Sequence, residues 1–223
     1  MKRAVIFDMF ETLITHYQSP LYFGAHMAED AGIPTDEFQA LWKPTENART
    51  IGEMTLEETI EIILREKQCY SDKLLQNIVG KRIAAKKECF RHLHPEIVPM
   101  LRELKEKGIL IGLISNCFSE EVRVIRQSEL LSYFNAVYLS YEQGIAKPDE
   151  EIFIRCMNEL SVKADECLYV GDGGSYELEA AQKLGMTAIQ ALWYFNEDWQ
   201  LSHRKQDFIM ADRPLDVLGY LEN

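Results

Sequence analysis

Three polar points stand where apolar runs stop. Ala4-Val5-Ile6-Phe7 is followed by Asp8, and Ile109-Leu110-Ile111-Gly112-Leu113-Ile114 by Ser115-Asn116. Cys167-Leu168-Tyr169-Val170 is followed by Gly171-Asp172, with Glu177 a few residues on, and Lys147 stands before Pro148. Carboxylates can act as nucleophiles or as hard oxygen ligands for a cation. A hydroxyl, a backbone amide and an ammonium suit an anion with developing charge. Each residue alone has a bland reading. Asp8 could be a helix N-cap or strand-end turn, Ser115-Asn116 a turn, and Lys147-Pro148 a loop.

The elements that carry these residues decide between the readings. Short apolar runs read as strands buried on both faces, as in a parallel sheet. A charge is costly inside a core, so Asp8 belongs at the mouth of its strand. The spacing predicts further strands at Ala136–Leu139 and Thr187–Ile189, and another at Phe208–Met210. Helices alternate with them over Glu96–Lys107, Ser119–Gln127, Pro148–Leu160, the stretch containing Leu178 to Leu184, and from Leu215 onward. Ser140 to Lys147 reads as a loop. Alternation of this kind gives an α/β fold, a Rossmann-like doubly wound parallel sheet. In such a sheet the strand ends point the same way, so distant residues can meet in the crevice beyond them.

Between the first and second strands the pattern is helical throughout. Ser19-Pro20 opens a helix closed by Gly32, Pro34-Thr35-Asp36-Glu37 opens a second, Thr55 and Glu58 form a capping box, and Ser71-Asp72 starts a long last helix. Residues 16–92 are therefore read as an inserted all-helical cap domain, with 1–15 and 93–223 forming the core domain. Lys81, Arg82, Lys86, Lys87, Arg91, His92 and His94 make a basic stretch, either a solvated helix face or a positive rim for an anion. Tyr17, Tyr22, Phe23 and Trp42 could line the inner face of the cap, although aromatics at helical spacing usually pack its core. Tyr194-Phe195-Asn196, just past the fifth strand, could reach the crevice, but a surface loop that also holds Trp193 and Trp199 is the preferred reading. Cys117, near a helix start, could carry a lowered thiol pKa, but a small residue tolerated beside Ser115-Asn116 is the preferred reading; His16 is assigned no role.

The chain has 223 residues, 47% of them hydrophobic, enough for a full domain and a smaller one. A formal charge of −12 argues against nucleic acid and anionic membranes as partners. Five cysteines with no C-x-x-C pair suggest no disulfide framework. Met1-Lys2-Arg3 leads directly into the first strand, and no apolar run approaches the roughly 20 residues of a membrane span. The expectation is a reduced, cytoplasmic protein acting on a small molecule.

As a set, the motifs resemble the haloacid dehalogenase superfamily. Phe7-Asp8-x-x-x-Thr12-Leu13, Ile114-Ser115-Asn116, Lys147-Pro148 and Val170-Gly171-Asp172 with Glu177 follow its four motifs in order, and the helical insert is similar to its cap. The resemblance implies a Mg²⁺-dependent hydrolase, a phosphatase of a small phosphorylated metabolite. Asp8 would form an aspartyl-phosphate and Thr12 would support the first loop. Ser115 and the Asn116 backbone amide would hold phosphate oxygens. Lys147 would offset their charge. Asp8, the Phe10 backbone carbonyl and Asp172 would bind Mg²⁺, with Glu177 behind them or activating water.

Two positions depart from the family pattern. Phe10 replaces the aspartate that protonates the leaving oxygen, a loss that typically costs roughly 10²–10⁴ in rate. Dehalogenases of the family carry an aromatic residue there, because a departing halide needs no proton. A 2-haloacid dehalogenase using Asp8 is therefore the alternative, with Arg49 a candidate for the cap arginine that reaches a substrate carboxylate. A weakly active or inactive phospho-ligand-binding member is a third reading. Asp172 favours a cation, since two bare carboxylates in one crevice repel. Glu11 replaces a common glycine, which leaves the first loop's conformation open.

Overall fold

The computed structural model describes residues 1–195, 204–205 and 207–222. Asn196 and Trp199 lie outside the described residues. Six strands form one parallel sheet: β1 (Ala4–Phe7), β2 (Leu110–Ser115), β3 (Ala136–Leu139), β4 (Cys167–Gly171), β5 (Thr187–Ala191) and β6 (Ile209–Ala211). Their order is β3-β2-β1-β4-β5-β6. The chain steps outward from β1 to β3, then crosses back to lay β4 on the other side of β1. That reversal opens the crevice in which doubly wound sheets bind ligands.

All four residues of β1 are buried. Side chains alternate across a strand, so Val5 and Phe7 join one apolar layer while Ala4 and Ile6 join the other. Helix α6 (Ile97–Glu106) covers the first face with Met100, Leu101 and Leu104. Helix α7 (Ser119–Gln127) adds Ile125 there. The second face is covered by α9 (Glu150–Leu160) through Ile152, Phe153 and Cys156, and by α10 (Glu177–Lys183) through Leu178 and Ala181. Gly112 lets α9 approach: a Cβ there would stand 2.9 Å from Cys156 Sγ and 3.1 Å from Ile6 Cγ1.

Five helices lie between β1 and α6: α1 (Gly24–Ala31), α2 (Thr35–Trp42), α3 (Glu46–Thr50), α4 (Leu56–Glu66) and α5 (Asp72–Cys89). They build an apolar core of their own from Met27, Phe38, Ile60, Leu64 and Ile78, among others. The expected signals operate here. Thr55 and Glu58 form the capping box of α4, Ser71 caps α5, and Gly32 ends α1 with a positive φ of 66°. Among the described residues no helix is long and apolar enough to cross a membrane.

The structure corrects several expectations. The first helix starts at Gly24, not at Ser19-Pro20, because the Ser19 hydroxyl donates back to the His16 carbonyl (3.1 Å) instead of capping forward amides. Ser140–Gln143 forms a short helix, α8, where a loop was expected, and the terminal helix is a 3₁₀ segment over Pro214–Tyr220. Tyr194 is buried, its hydroxyl accepting the His94 amide at 2.5 Å, so it does not belong to a surface loop.

The basic stretch that runs along α5 and into the turn after it divides. Lys81 and Arg91 sit on the solvated face, paired with Asp30 and Glu88. Arg82 and Lys86 form a buried stripe with Ile78 and Cys89, turned toward α7. There Arg82 Nε donates to Glu120 (3.0 Å), and Lys86 Nζ lies 2.6 Å from Glu121. These two cations are no solvated face: paired with α7 they join the insert to the core, and they also line the cavity between the two.

Candidate active site

The register of the sheet brings the candidate residues together. Phe7 pairs with Val170 on one side and Leu113 on the other, and the Asp8 amide donates to the Val170 carbonyl at 2.9 Å. Asp8, Ser115 and Asp172 therefore emerge side by side at the carboxyl edge, next to the strand-order reversal.

Lys147 reaches this edge from the loop before α9. Its backbone is clamped by the Asn116 side chain, which donates to the Lys147 carbonyl (2.9 Å) and accepts its amide proton (2.8 Å). The ammonium donates to Asp8 Oδ1 (2.5 Å), to the Tyr169 hydroxyl (3.2 Å) and to Glu177. Tyr169 in turn donates to Glu177 at 2.9 Å. The Glu177 carboxylate rests against β4, where a Cβ on Gly171 would stand 2.0 Å from its Oε1. Any larger residue at this position would push the Glu177 carboxylate out of its place. The turn leading to Glu177 also bends through positive φ at Gly173, Ser175 and Tyr176. Asp172 accepts the Gly174 amide (2.9 Å), and its own carbonyl accepts from the Gln190 side chain (2.7 Å).

Burial dominates the electrostatics. It pushes the Asp8 carboxyl up to about 7, against the pull of Lys147. Asp172 rises to about 6 through burial and the proximity of Asp8, and burial raises Glu177 as well. For Lys147 burial works against the charge, but Asp8 and Glu177 more than offset it and hold its pKa above the usual lysine range. Three acids thus share one lysine. Oxygens from Asp8, Asp172 and Glu177 all lie within 4.8 Å of one another. An all-oxygen set with excess negative charge suits a hard divalent cation such as Mg²⁺.

Two buried hydroxyls complete the edge. Among the described residues Thr12 Oγ1 has no hydrogen-bond partner, and Ser115 Oγ has only a long contact of 3.4 Å to the Asn116 carbonyl. The Thr12 carbonyl is fixed by the Trp193 indole at 2.7 Å. Glu11 stands in the left-handed region (φ 58°), and its carboxylate accepts from Thr15 Oγ1 (2.5 Å), the His16 amide (3.0 Å) and His16 Nδ1 (3.0 Å). Phe10 stacks on His16, ring centroids 4.7 Å apart, so a phenyl ring stands two residues after Asp8, with the Glu11 carboxylate on the same imidazole.

Beyond the edge a cavity of about 450 Å³ opens between core and insert. Phe10 and Asn116 line it from the core side, and Phe23, Trp42 and Arg49 from the insert. Tyr22 instead donates to Asp30 (2.5 Å), and Tyr17 is exposed. Cys117 is buried, and burial raises its thiol pKa, which sets aside the lowered-pKa alternative and leaves the preferred reading, a small residue beside Ser115-Asn116. Sequence reasoning missed the clamp by the Asn116 side chain, the Tyr169–Glu177 support, the Trp193 prop and the role of His16. An Asn beside a motif serine was a visible signal; a tyrosine inside an apolar strand and a distant tryptophan were not.

The model of the haloacid dehalogenase-like hydrolases matches residues 2–185. A glyceraldehyde 3-phosphate phosphatase of Methanopyrus kandleri is 30% identical over 99 residues, 44% of this chain; the match spans 42% of that relative's length. A HAD phosphatase structure from Thermococcus onnurineus superposes with a TM-score of 0.66 at 19% identity, covering 99% of this chain and 98% of its own. A HAD family enzyme of Bacteroides thetaiotaomicron in complex with magnesium and inorganic phosphate gives 0.64 at 21% identity, with 92% and 100% covered. At these identities the two structures establish the fold alone.

Proposed function

The chain belongs to the haloacid dehalogenase-like hydrolases, and we propose on that footing that it is a Mg²⁺-dependent phosphatase of a small phosphorylated metabolite. The observation that carries this reading is the acid cluster at the sheet edge: Asp8 and Asp172 beside Glu177, with Lys147 the cation paired with them among the described residues.

In this reading Asp8 attacks phosphorus. A new Oδ–P bond forms while the P–O bond to the leaving oxygen breaks; with Phe10 in place of an acid, that oxygen takes its proton from water, and a further water cleaves the aspartyl-phosphate to release inorganic phosphate. Ser115 Oγ and the Asn116 backbone amide hold phosphoryl oxygens, and Thr12 supports the loop beneath. Lys147 offsets charge on Asp8 and on the phosphoryl group, kept in place by Asn116, Tyr169 and Glu177. Asp8, the Phe10 carbonyl and Asp172 would hold Mg²⁺, which supplies charge stabilisation for the transferring group. Glu177 supports the set through Lys147. The helical insert, residues 16–92, acts as the cap domain over the core of 1–15 and 93–223, and bounds the substrate cavity. Cytoplasmic residence accords with the free cysteines.

Phe10 favours a second reading, dehalogenation, because a phenyl ring cannot protonate an alkoxide. One experiment separates the two. Aryl phosphate is offered with Mg²⁺ and with chelator, and 2-chloropropionate in parallel. The phosphatase reading expects phosphate release that stops with chelator and falls roughly 10⁴–10⁶-fold in Asp8→Asn, the scale seen when a nucleophile is deleted. In Phe10→Asp it expects a gain that is largest for alkyl phosphates. Chloride release indifferent to chelator would move the protein to the dehalogenase branch. Neither product would leave phospho-ligand binding as the activity.

A further inference from the structure

We propose that the protein has a second small-molecule site, away from the sheet edge, for an amphipathic anion: an apolar body with an anionic head such as a carboxylate. The site is a cavity of about 570 Å³ between α5, α6 and α7. It is larger than the cavity over the sheet edge and has the size of spaces that hold small molecules. Among the described residues none lines both. The floor is apolar. Val124 and Leu130 are buried in it, and Phe90, Leu93, Val98 and Tyr133 stand half-buried around them.

The charge around this floor runs against the rest of the chain. Acidic residues outnumber lysine and arginine 36 to 24 over the whole sequence, yet Lys87, Arg91 and Arg102 line the cavity against one acid, Glu129. Arg91 is paired with Glu88 at 3.1 Å. Lys87 and Arg102 form no side-chain ion pair or hydrogen bond among the described residues. A cation in water needs no partner, so exposure alone would say little. What sets these two apart is the apolar surface beneath them. An apolar body covers that surface, and its anionic head meets Lys87 and Arg102, drawn by a local positive field in an otherwise acidic protein. The stems of both side chains are apolar and extend the floor upward.

The place of the cavity gives its occupant a consequence. Helix α5 puts Lys86 in the wall of the sheet-edge cavity and Lys87 in the wall of this one. The other walls belong to the segment after α5, to α6, to the C-terminal end of α7 and to the 3₁₀ turn Glu129–Tyr133. The ligand therefore touches insert and core together, one residue from Lys86, which pairs with Glu121. Occupancy ties the two parts at that junction. None of Asp8, Lys147 and Asp172 takes part, so the site stands whether or not the phosphatase reading does.

Calorimetry on the full chain, with chelator present, tests this with octanoate, 1-octanol, octylammonium and acetate. The first three share a body and differ in the head; acetate is the head alone. Octanoate should bind saturably and roughly 10-fold tighter than octanol, since two exposed ion pairs are each worth about 2- to 5-fold. Octylammonium and acetate should not bind. Lys87→Gln and Arg102→Gln should each weaken octanoate by about 2- to 5-fold, and the double variant should hold it no better than octanol. Octanoate should raise the melting temperature of the wild-type protein and not that of the double variant. Val98→Trp fills the floor and should abolish binding; if that variant does not fold, the two exposed charge variants carry the test. Absence of saturable octanoate binding overturns the proposal. So does octanol, octylammonium or acetate binding as tightly as octanoate. An octanoate affinity unchanged in the double variant, or in a folded Val98→Trp, overturns it as well, because the anion then sits elsewhere.

Discussion

Two buried clusters of charge lie within the same molecule, and they are balanced differently. At the sheet edge, Asp8, Asp172 and Glu177 surround one ammonium, Lys147. At the junction between core and insert, Arg82 and Lys86 meet Glu120 and Glu121, two against two. The pKa directions follow the balance. Burial lifts the edge carboxyls, and the single lysine does not bring them back. Burial also works against ionisation of Glu121, yet Lys86 and Arg82 hold it below the usual carboxylate range. A cluster that neutralises itself is structure, whereas one left with excess charge requires something from outside.

The largest expected effect comes from breaking the balanced cluster. Lys86→Met strands Glu121 with Arg82 at 3.9 Å as its remaining cation. Removing one partner of a buried pair typically costs about 3–5 kcal/mol. Chemical denaturation should show a loss of that order, and Lys86→Met with Glu121→Gln should recover much of it. A loss under 1 kcal/mol in the single variant would mean that the junction is hydrated and the contrast with the sheet edge is false.

The unbalanced cluster should answer to a cation and to pH together. Without metal, Asp8 and Asp172 titrate near 7 and 6, above their ordinary value of 3.8. The native state then binds more protons than the unfolded one between about pH 4 and 7, so stability falls as pH rises through that window. A divalent cation needs those carboxylates ionised, and its benefit grows as they lose protons. Mg²⁺ at about 100 times its dissociation constant contributes roughly 2.7 kcal/mol. Thermal melts should therefore show several degrees of stabilisation by Mg²⁺ at pH 8, little at pH 5, and none at either pH in Asp172→Asn. Equal stabilisation at both pH values would indicate binding elsewhere.

The same contrast explains what could be read from the sequence. The edge residues follow apolar strands, and a parallel sheet sends all strand ends one way, so Asp8, Ser115 and Asp172 could be grouped before any coordinates. The capping signals at Thr55, Ser71 and Gly32 are local, and they held. The junction was not legible. Arg82 and Lys86 lie in a run of basic residues, and nothing in that run says that α7 will present Glu120 and Glu121 to two of them and leave Lys81 in water. Nor could Tyr169 be seen as anything but apolar strand. Long-range pairing decides these residues, and composition does not encode it.

Glu11 joins the two regions, and its substitution gives the smallest predicted effect. The residue occupies a left-handed conformation (φ 58°) that costs roughly 1–2 kcal/mol for a residue with a Cβ. Its carboxylate repays that cost locally, through Thr15, the His16 amide and the His16 ring at the entry to the insert. The ring then meets Lys86 at 2.5 Å from its other nitrogen; burial and Lys86 together lower the His16 pKa, so the neutral ring donates to Glu11 and accepts from Lys86. Glu11→Gly relieves the backbone and removes three bonds to a charged acceptor, each worth about 1.5–3 kcal/mol before relaxation. Because water and neighbouring groups take over part of them, the net loss should be about 1 kcal/mol. A denaturant midpoint shift of that size, with Mg²⁺ stabilisation at pH 8 unchanged, would place Glu11 with the junction. A change in the Mg²⁺ response larger than the change in stability would place it with the sheet edge.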